Sequence, residues 1–364
     1  MKRLPRIIQS LFIVGVVAFA LLPRSSAFIE NIYSNGFYPL VNRVVTPVSN
    51  SLPVSFGDLL LIALLLGLPG WWALSLARAR RGHWWWQFPR LALDTLTVLA
   101  VAYLLFALSW GLSYDREPLT ARLDYSEQRV TVDGEHQLLA LDVQQLNALA
   151  PLAHSQPFPV GDQLYPALHA SFASVVSDLG TNFSTFGVAP KHSLLDFYFE
   201  ATGVSGFTDP WTHEVILNES LLPVERPFTL AHEWGHLAGY ASESEANFIG
   251  MLTCLRSDQP SIRYAGWLSL YMWLPQPPGG GPAVAPEVEA DLQAIRVRIA
   301  AHENKQASKV ERNMYDGYLK ANRVQEGIDN YGLFVRLMLG TRFVADWQPL
   351  RRGIASAPGT ESRP

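Results

Sequence analysis

The chain has 364 residues, a formal net charge of −4 and one cysteine, Cys254. These values exclude a disulfide framework or a cysteine-built metal centre within the chain, and no basic run is long enough to read as a nucleic-acid surface. Nearly half the residues are apolar (49%) and only 16% are charged, a balance that places part of the chain in lipid.

Three apolar runs open the sequence. The first, IIQSLFIVGVVAFALL, follows Lys2, Arg3 and Arg6. It is either a signal peptide cleaved near Ser26-Ala27 or a short span over about 7–23, and both alternatives leave the topology of the rest unchanged. The second and third runs, about 58–76 and 91–112, are long enough to cross a bilayer, with Pro69 and Asp94 tolerable near helix ends or against a neighbouring helix. Arg78, Arg80, Arg81 and Arg90 crowd the loop between the last two runs, while the loop before it carries only Arg24 and Arg43. The positive-inside rule then puts the N-terminus in the cytoplasm and everything after about Ser113 outside. Trp84-Trp85-Trp86 suits an interfacial aromatic belt.

Residues 1–112 are therefore expected to form a membrane region, 113–348 an extracytoplasmic domain, and 349–364 a disordered tail. The periodicity predicts helices over Glu135–Leu152 and Gly161–Leu179. HSLLDFYFEATGVSGF and THEVILN read as strands, with the second a candidate edge strand for an extended substrate. Helices follow from Pro227 to about Gly239, Glu243 to Leu255, Ile262 to Leu274, Pro286 to His302 and Gly327 to Gly340, with a loop at Pro275 to Pro286. The fold class is mainly α (α+β): transmembrane helices followed by a mostly helical domain with a small β-sheet.

The chemistry concentrates in FTLAHEWGHLAGYASESEANF, Phe228 to Phe248. His232 and His236 are four apart, so on a helix their imidazoles share a face and can converge on one cation. Zinc suits imidazole and carboxylate donors. Glu233 cannot join that ligand set from the same helix, but it can take a proton from a water activated by the metal. A third ligand is required. A hairpin centred between Tyr240 and Ala241 sets Glu245 opposite His236, on the apolar face shared with Ile249 and Leu252, where a spare carboxylate is costly. Glu243 competes, but its mirror position is Ala238, off the histidine face. Ser242 to Glu245 also fits a capping box, which would give Glu245 a structural role. Asn247 either orients a ligand histidine or shapes the first helical turn. His213 and Glu214 could face the cleft, and Tyr315 and Tyr318 are candidate oxyanion donors.

FTLAHEWGH followed by EANF, with a preceding strand ending in Asn218, resembles the core of the ImmA/IrrE-type zinc metallopeptidases. That resemblance implies a zincin-like fold, one zinc ion on His232, His236 and Glu245, and Glu233 as general base. Over nearly its whole length the chain is also similar to a bacterial membrane-protein family known only as a domain of unknown function. That likeness rests on the spans, Trp110 to Arg116 (WGLSYDR), the HExxH and EANF pair, and Tyr315 to Arg323 (YDGYLKANR).

The expected function is a membrane-anchored metallopeptidase acting on a peptide or protein substrate outside the cytoplasm. The alternatives are a zinc-stabilised envelope sensor or scaffold without catalysis, and a hydrolase of cell-wall amides.

Overall fold

The computed structural model describes residues 4–52, 54–78, 84–183 and 188–353. The charges at Lys2, Arg3, Arg80 and Arg81, on which the topology expectation partly rests, and the tail from 354 onward lie outside these residues.

The first apolar run forms helix α1 (Leu4–Leu21). After a break, a continuous helical segment α2 (Ser26–Ser49) turns away from it by 105°. Its middle, Ile29–Phe37, is wound as a π-helix. The second run is helix α3 (Phe56–Ala77), opened by Ser55, whose side chain accepts from the Asp58 N–H. The third is α4 (Phe88–Ser109). Both α3 and α4 are long and apolar enough to cross a membrane, whereas Arg6–Leu21 qualifies only when taken together with the bent segment Ser26–Ser49. α1 packs on α4, where Gln9 Nε2 donates to Asp94 Oδ1 at 2.9 Å. Trp85 is exposed beside α4, in the turn Trp84–Gln87.

Two boundaries differ from the sequence expectation. The third run stops being α-helical at Ser109, and the following turn, Gly111–Asp115, folds inward, burying Trp110 and Leu112. Residues 26–55 also do not form a bare loop between spans. One side of α2 is buried against the remainder of the chain, so the site-bearing body begins well before residue 113.

That body is built from α5 (Val132–Ala153), α6 (Leu164–Asp178), α7 (Asp196–Thr202), strands β1 (Gly206–Thr208) and β2 (Val215–Leu217), α8 (Arg226–Leu237), α9 (Glu243–Leu255), α10 (Pro260–Trp273), α11 (Pro286–His302), α12 (Lys305–Ala321) and α13 (Phe334–Gly340). α8 and α9 pack side by side at its centre, with α8 buried from Pro227 onward and α9 throughout. Leu146, Phe172, Trp234, Phe248, Ile262 and Phe334 belong to one continuous apolar core around them.

The long strand expected over 192–207 is interrupted by a helix. Asp196–Thr202 is helical and ends on Gly203, whose φ of +77° and N–H to Phe199 O bond make a left-handed helix stop. Beyond an isolated bridge of His192 to Val54, the paired stretch is Gly206–Thr208, antiparallel to β2 with Phe207 opposite Ile216. On its far side β2 makes a parallel bridge between Ile216 and Lys191, so β1 rather than β2 is the outer strand among the described residues. The start of the expected disordered tail is also ordered: Pro349 pairs with Phe343 and Arg351 with Leu123.

Candidate metal centre

The tight hairpin between α8 and α9 depends on small residues. A Cβ at Gly235 would lie 3.1 Å from the Ala246 Cα, and one at Gly250 would lie 3.1 Å from the His232 backbone nitrogen. The backbones therefore nearly touch, which is possible only with glycine at both crossings. Gly239, at φ +84°, ends α8, and the Tyr240 N–H returns to Gly235 O at 3.1 Å. Ser242 then starts α9 in an extended conformation.

At the mouth of this hairpin His232, His236 and Glu243 come together, all three buried. The Nε2 atoms of the two histidines are 3.1 Å apart, and Glu243 Oε2 lies 3.3 Å from each. Their tautomers follow from their other nitrogens. His232 Nδ1 is 2.7 Å from Asn247 Oδ1, and the Asn247 amide nitrogen is in turn committed to Tyr331 O at 3.1 Å, so Nδ1–H donates. His236 Nδ1–H donates to Tyr240 O at 2.8 Å, because a carbonyl can only accept. Two Nε2 lone pairs and a carboxylate oxygen that accepts no hydrogen bond therefore face one point. A tetrahedral zinc with bonds of about 2.0–2.1 Å separates its ligands by roughly 3.3–3.4 Å, and the donor triangle has nearly those edges. The residues present thus fit the ion.

Without a cation, a proton takes its place. Burial lowers the His236 pKa, but Glu243 beside it, and then Glu233, raise it to about 9. Burial raises the Glu243 carboxyl, yet His236 and His232 together hold it well below the usual carboxylate range. The other Glu243 oxygen accepts from the Tyr315 hydroxyl.

The carboxylate that the structure brings beside the two histidines is that of Glu243, not that of Glu245. Counting symmetrically about the hairpin centre is misleading because the face of α9 that meets α8 is set by its small residues, Ala246 and Gly250. Glu243 and Asn247 share that face at helical spacing. Glu245 points the other way, where it accepts from the Leu119 N–H at 2.6 Å; burial raises its pKa, opposed by that bond and by Arg116 and Arg122. It also lines a cavity of about 350 Å³ with Ser113, Arg116 and Asn330, apart from the histidines. The capping box does not form either: Asn330 Oδ1 accepts from the Ser244 N–H at 2.9 Å and caps α9 from a distant turn.

Glu233 lies beside the histidines, buried against β1. The Thr208 hydroxyl donates to its Oε2 at 2.7 Å, and a side chain at Gly206 would collide with its carboxylate. Burial raises its pKa, while His232 and His236 oppose the rise. Tyr331 stacks over His232 with ring planes 12° apart, a partner that the sequence pattern around it did not signal. Burial and the nearby Glu243 keep the Tyr315 and Tyr331 hydroxyls protonated well beyond neutral pH. Tyr315 therefore steadies Glu243, and Tyr318 packs on Tyr315, Tyr114 and Phe106.

His213 and Glu214 are not at the cleft but join the body to the apolar helices. Glu214 is fully buried and accepts from the Phe56 and Gly57 N–H groups at 2.9 and 2.8 Å, capping the positive end of α3, and it pairs with Lys191. His213 sits at a left-handed φ of +56° with Nε2 at 3.2 Å from Ser109 O and Nδ1 at 3.2 Å from the Asn42 amide. Burial lowers its pKa to about 4, which keeps it neutral.

The C-terminal carbonyls of α8, which a helix leaves unpaired, are taken up by the preceding segments. Trp110 Nε1 donates to His236 O at 3.0 Å and the Tyr38 hydroxyl to Leu237 O at 2.6 Å. Arg116 donates to Gly239 O at 3.2 Å, stacks 4.2 Å over the Tyr240 ring and is held by Glu30 at 2.6 Å. Since Tyr240 O orients His236, this chain of contacts reaches one of the two clustered histidines.

A buried His–His–Glu cluster in a mostly helical protein with apolar helices that could cross a membrane defines the class. The chain belongs to the family described as Protein of unknown function (DUF3810), whose model matches residues 33–275 and 282–339. No curated protein and no solved structure matches it.

Proposed function

We propose that this protein is a membrane-anchored, zinc-dependent metallopeptidase with a zincin-like body facing the extracytoplasmic side. The observation that carries the proposal is the donor triangle of His232, His236 and Glu243, with edges of 3.1 and 3.3 Å and a glutamate, Glu233, beside it. Three protein donors leave a fourth position open, as catalytic zinc sites do; a sensor or scaffold with a structural ion would need a fourth, and neither Glu245 nor His213 is near enough to give one.

His232, His236 and Glu243 would hold the ion. When bound, zinc supplies Lewis-acid activation of a water near neutral pH. Glu233, kept in place by Thr208, accepts the proton from the attacking water and returns it to the leaving amide nitrogen, so that water and a peptide bond become an acid and an amine. By the alternation of antiparallel pairing, the N–H and C=O groups of Gly206 and Thr208 face outward from β1, away from β2. They offer an extended peptide an edge to pair with, directly above Glu233. The likeness of Phe228–Phe248 to ImmA/IrrE-type enzymes agrees, with Glu243 taking the ligand role. Topology also supports the proposal: α2 and the body touch, so they share one side, and α3 and α4 must then cross out and back.

Glu233→Gln tests the assignment. The variant is expected to keep its metal and lose hydrolysis of a peptide library by at least a hundredfold. Full activity in the variant, or no metal in the purified wild type, would sink the proposal. A library that also contains cell-wall amides separates peptidase from amidase work.

A further inference from the structure

The segment α2 has its polarity reversed relative to a helix on a water-soluble body. Its inward side carries Glu30, Ser34, Asn42, Thr46 and Ser49, all buried, among aromatic residues that reach the metal helix. Its outward side carries Phe28, Ile32, Phe37, Leu40, Val44 and Val48, each between 45 and 66% exposed. The successive steps are four, five, three, four and four residues, with the step of five inside the π-helical stretch Ile29–Phe37, where a turn takes more residues, so the apolar residues stay in one stripe. Asn31 and Arg43 also lie on the outward side. Soluble surfaces rarely show so long an apolar stripe.

We infer that α2 lies in the plane of the outer leaflet, with this stripe in the acyl boundary and the metal-site body on its other side. Three observations select a lipid surface over a protein partner. The stripe is continuous at both ends with segments that themselves suit lipid: α1 precedes it, and Leu52 and Val54, both exposed, lead from it into α3. The 105° turn from Arg6–Leu21 lays α2 nearly perpendicular to a helix that packs along α4. A spanning orientation is excluded by the inward side, because Tyr38 and Asn42 bond to Leu237 O and Glu30 to Arg116, which sets the buried polar body along most of its length. At 1.5 Å per residue α2 is about 36 Å long, and interfacial helices sink their apolar faces by about 5–10 Å. The C-terminal end of the metal helix is bonded to its inner face through Tyr38 and Asn42, which places that end of the helix close to the bilayer.

The inference rests on the membrane-anchored part of the proposed function and is independent of metal and hydrolysis. It is tested with the full chain in phosphatidylcholine–phosphatidylglycerol vesicles. An environment-sensitive fluorophore is attached at Leu40→Cys, Val44→Cys or Val48→Cys, with Gln137→Cys as a water-exposed control and Leu65→Cys within α3 as a deep control; the native Cys254 is fully buried and does not compete. The expected result is at least twofold stronger quenching of the α2 labels by lipids brominated near the carbonyl end than by lipids brominated near the methyl end, with iodide quenching only Gln137→Cys. Iodide quenching at Leu40 and Val44 equal to that at Gln137 would overturn the inference. So would deepest quenching near the methyl end, which means a span, or protection from all quenchers, which means a protein cover. Three label positions keep the test open if one variant fails to fold.

Discussion

Exchanging the two nearby glutamates separates the observed site from the one the hairpin count suggests. Glu243→Gln removes the anionic member of a three-donor set. Structural zinc sites bind with about 10–16 kcal/mol, so a one-third share is about 4 kcal/mol, or on the order of a thousandfold in affinity. Glu245→Gln keeps an acceptor for the Leu119 N–H and loses only a charge next to Arg116 and Arg122. Its cost is about 1–3 kcal/mol of fold stability, with less than about a threefold change in metal affinity. Chelator competition on the detergent-purified full chain, followed by thermal melts with and without zinc, reads both quantities. If Glu245→Gln lost the metal while Glu243→Gln kept it, the argument from the Ala246–Gly250 contact face would be wrong.

Proton competition gives a pH dependence with a definite sign. In the metal-free protein His236 titrates near 9 against an ordinary 6.5, so its stabilising effect is complete below 6.5 and is lost as pH rises through 9. Glu243 is depressed from 4.5, so its effect is present above 4.5 and is lost as pH falls. Metal-free melting temperatures should therefore peak between 4.5 and 6.5 and decline above neutrality, while zinc affinity rises by about tenfold per pH unit up to about 9, because the ion displaces the His236 proton. Tyr315→Phe strips a donor from Glu243 and should weaken zinc binding by about 10–100-fold with little change in melting of the metal-free form; unchanged affinity would return Tyr315 to a pure packing role. Glu214→Gln leaves Lys191 buried without its partner and should cost about 3–5 kcal/mol of stability with KM unaltered among surviving molecules; a KM effect without a stability loss would restore it as a substrate contact.

How far the sequence could be read depends on how local each signal was. The HExxH helix and the two long apolar helices are carried by neighbouring residues at fixed spacing, and these were legible. So was the hairpin, but not its rotation. Glu243, Ala246, Asn247 and Gly250 recur at i, i+3, i+4 and i+7, and small residues at two of those positions signal the face on which two helices touch; the apolar run through Ile249 and Leu252 drew attention to the wrong face. The helix at Asp196–Thr202 was read as strand because Phe197-Tyr198-Phe199 favours sheets, while the deciding feature was the stop at Gly203. Tyr331, Asn330, Arg116 and Thr208 reach the site from segments far away in the chain, and nothing within a window around them announces it. His213 and Glu214 stand on a strand expected beside the cleft, but they are buried and their partners are the ends of α3 and α4 rather than a ligand.

The placement of those partners ties the anchor to the chemistry. A helix ends with unpaired carbonyls, and burying them without donors is costly. α8 ends in the interior, directly after His236, and its donors are Trp110 from the turn that follows α4, Tyr38 and Asn42 from α2, and Arg116 locked by Glu30 of α2. In return the body supplies Glu214 to the start of α3 and His213 to the end of α4. Each half thus supplies hydrogen bonds to the other's backbone. A chain cut to begin after α4 would keep Trp110 and Arg116 but lose Tyr38 and Asn42, the donors to Leu237 O, and Glu30, which holds Arg116 against the Tyr240 ring. The membrane-side segments are therefore part of the frame of the His–His–Glu cluster, because Trp110 and Tyr38 hold the end of the helix that carries both histidines.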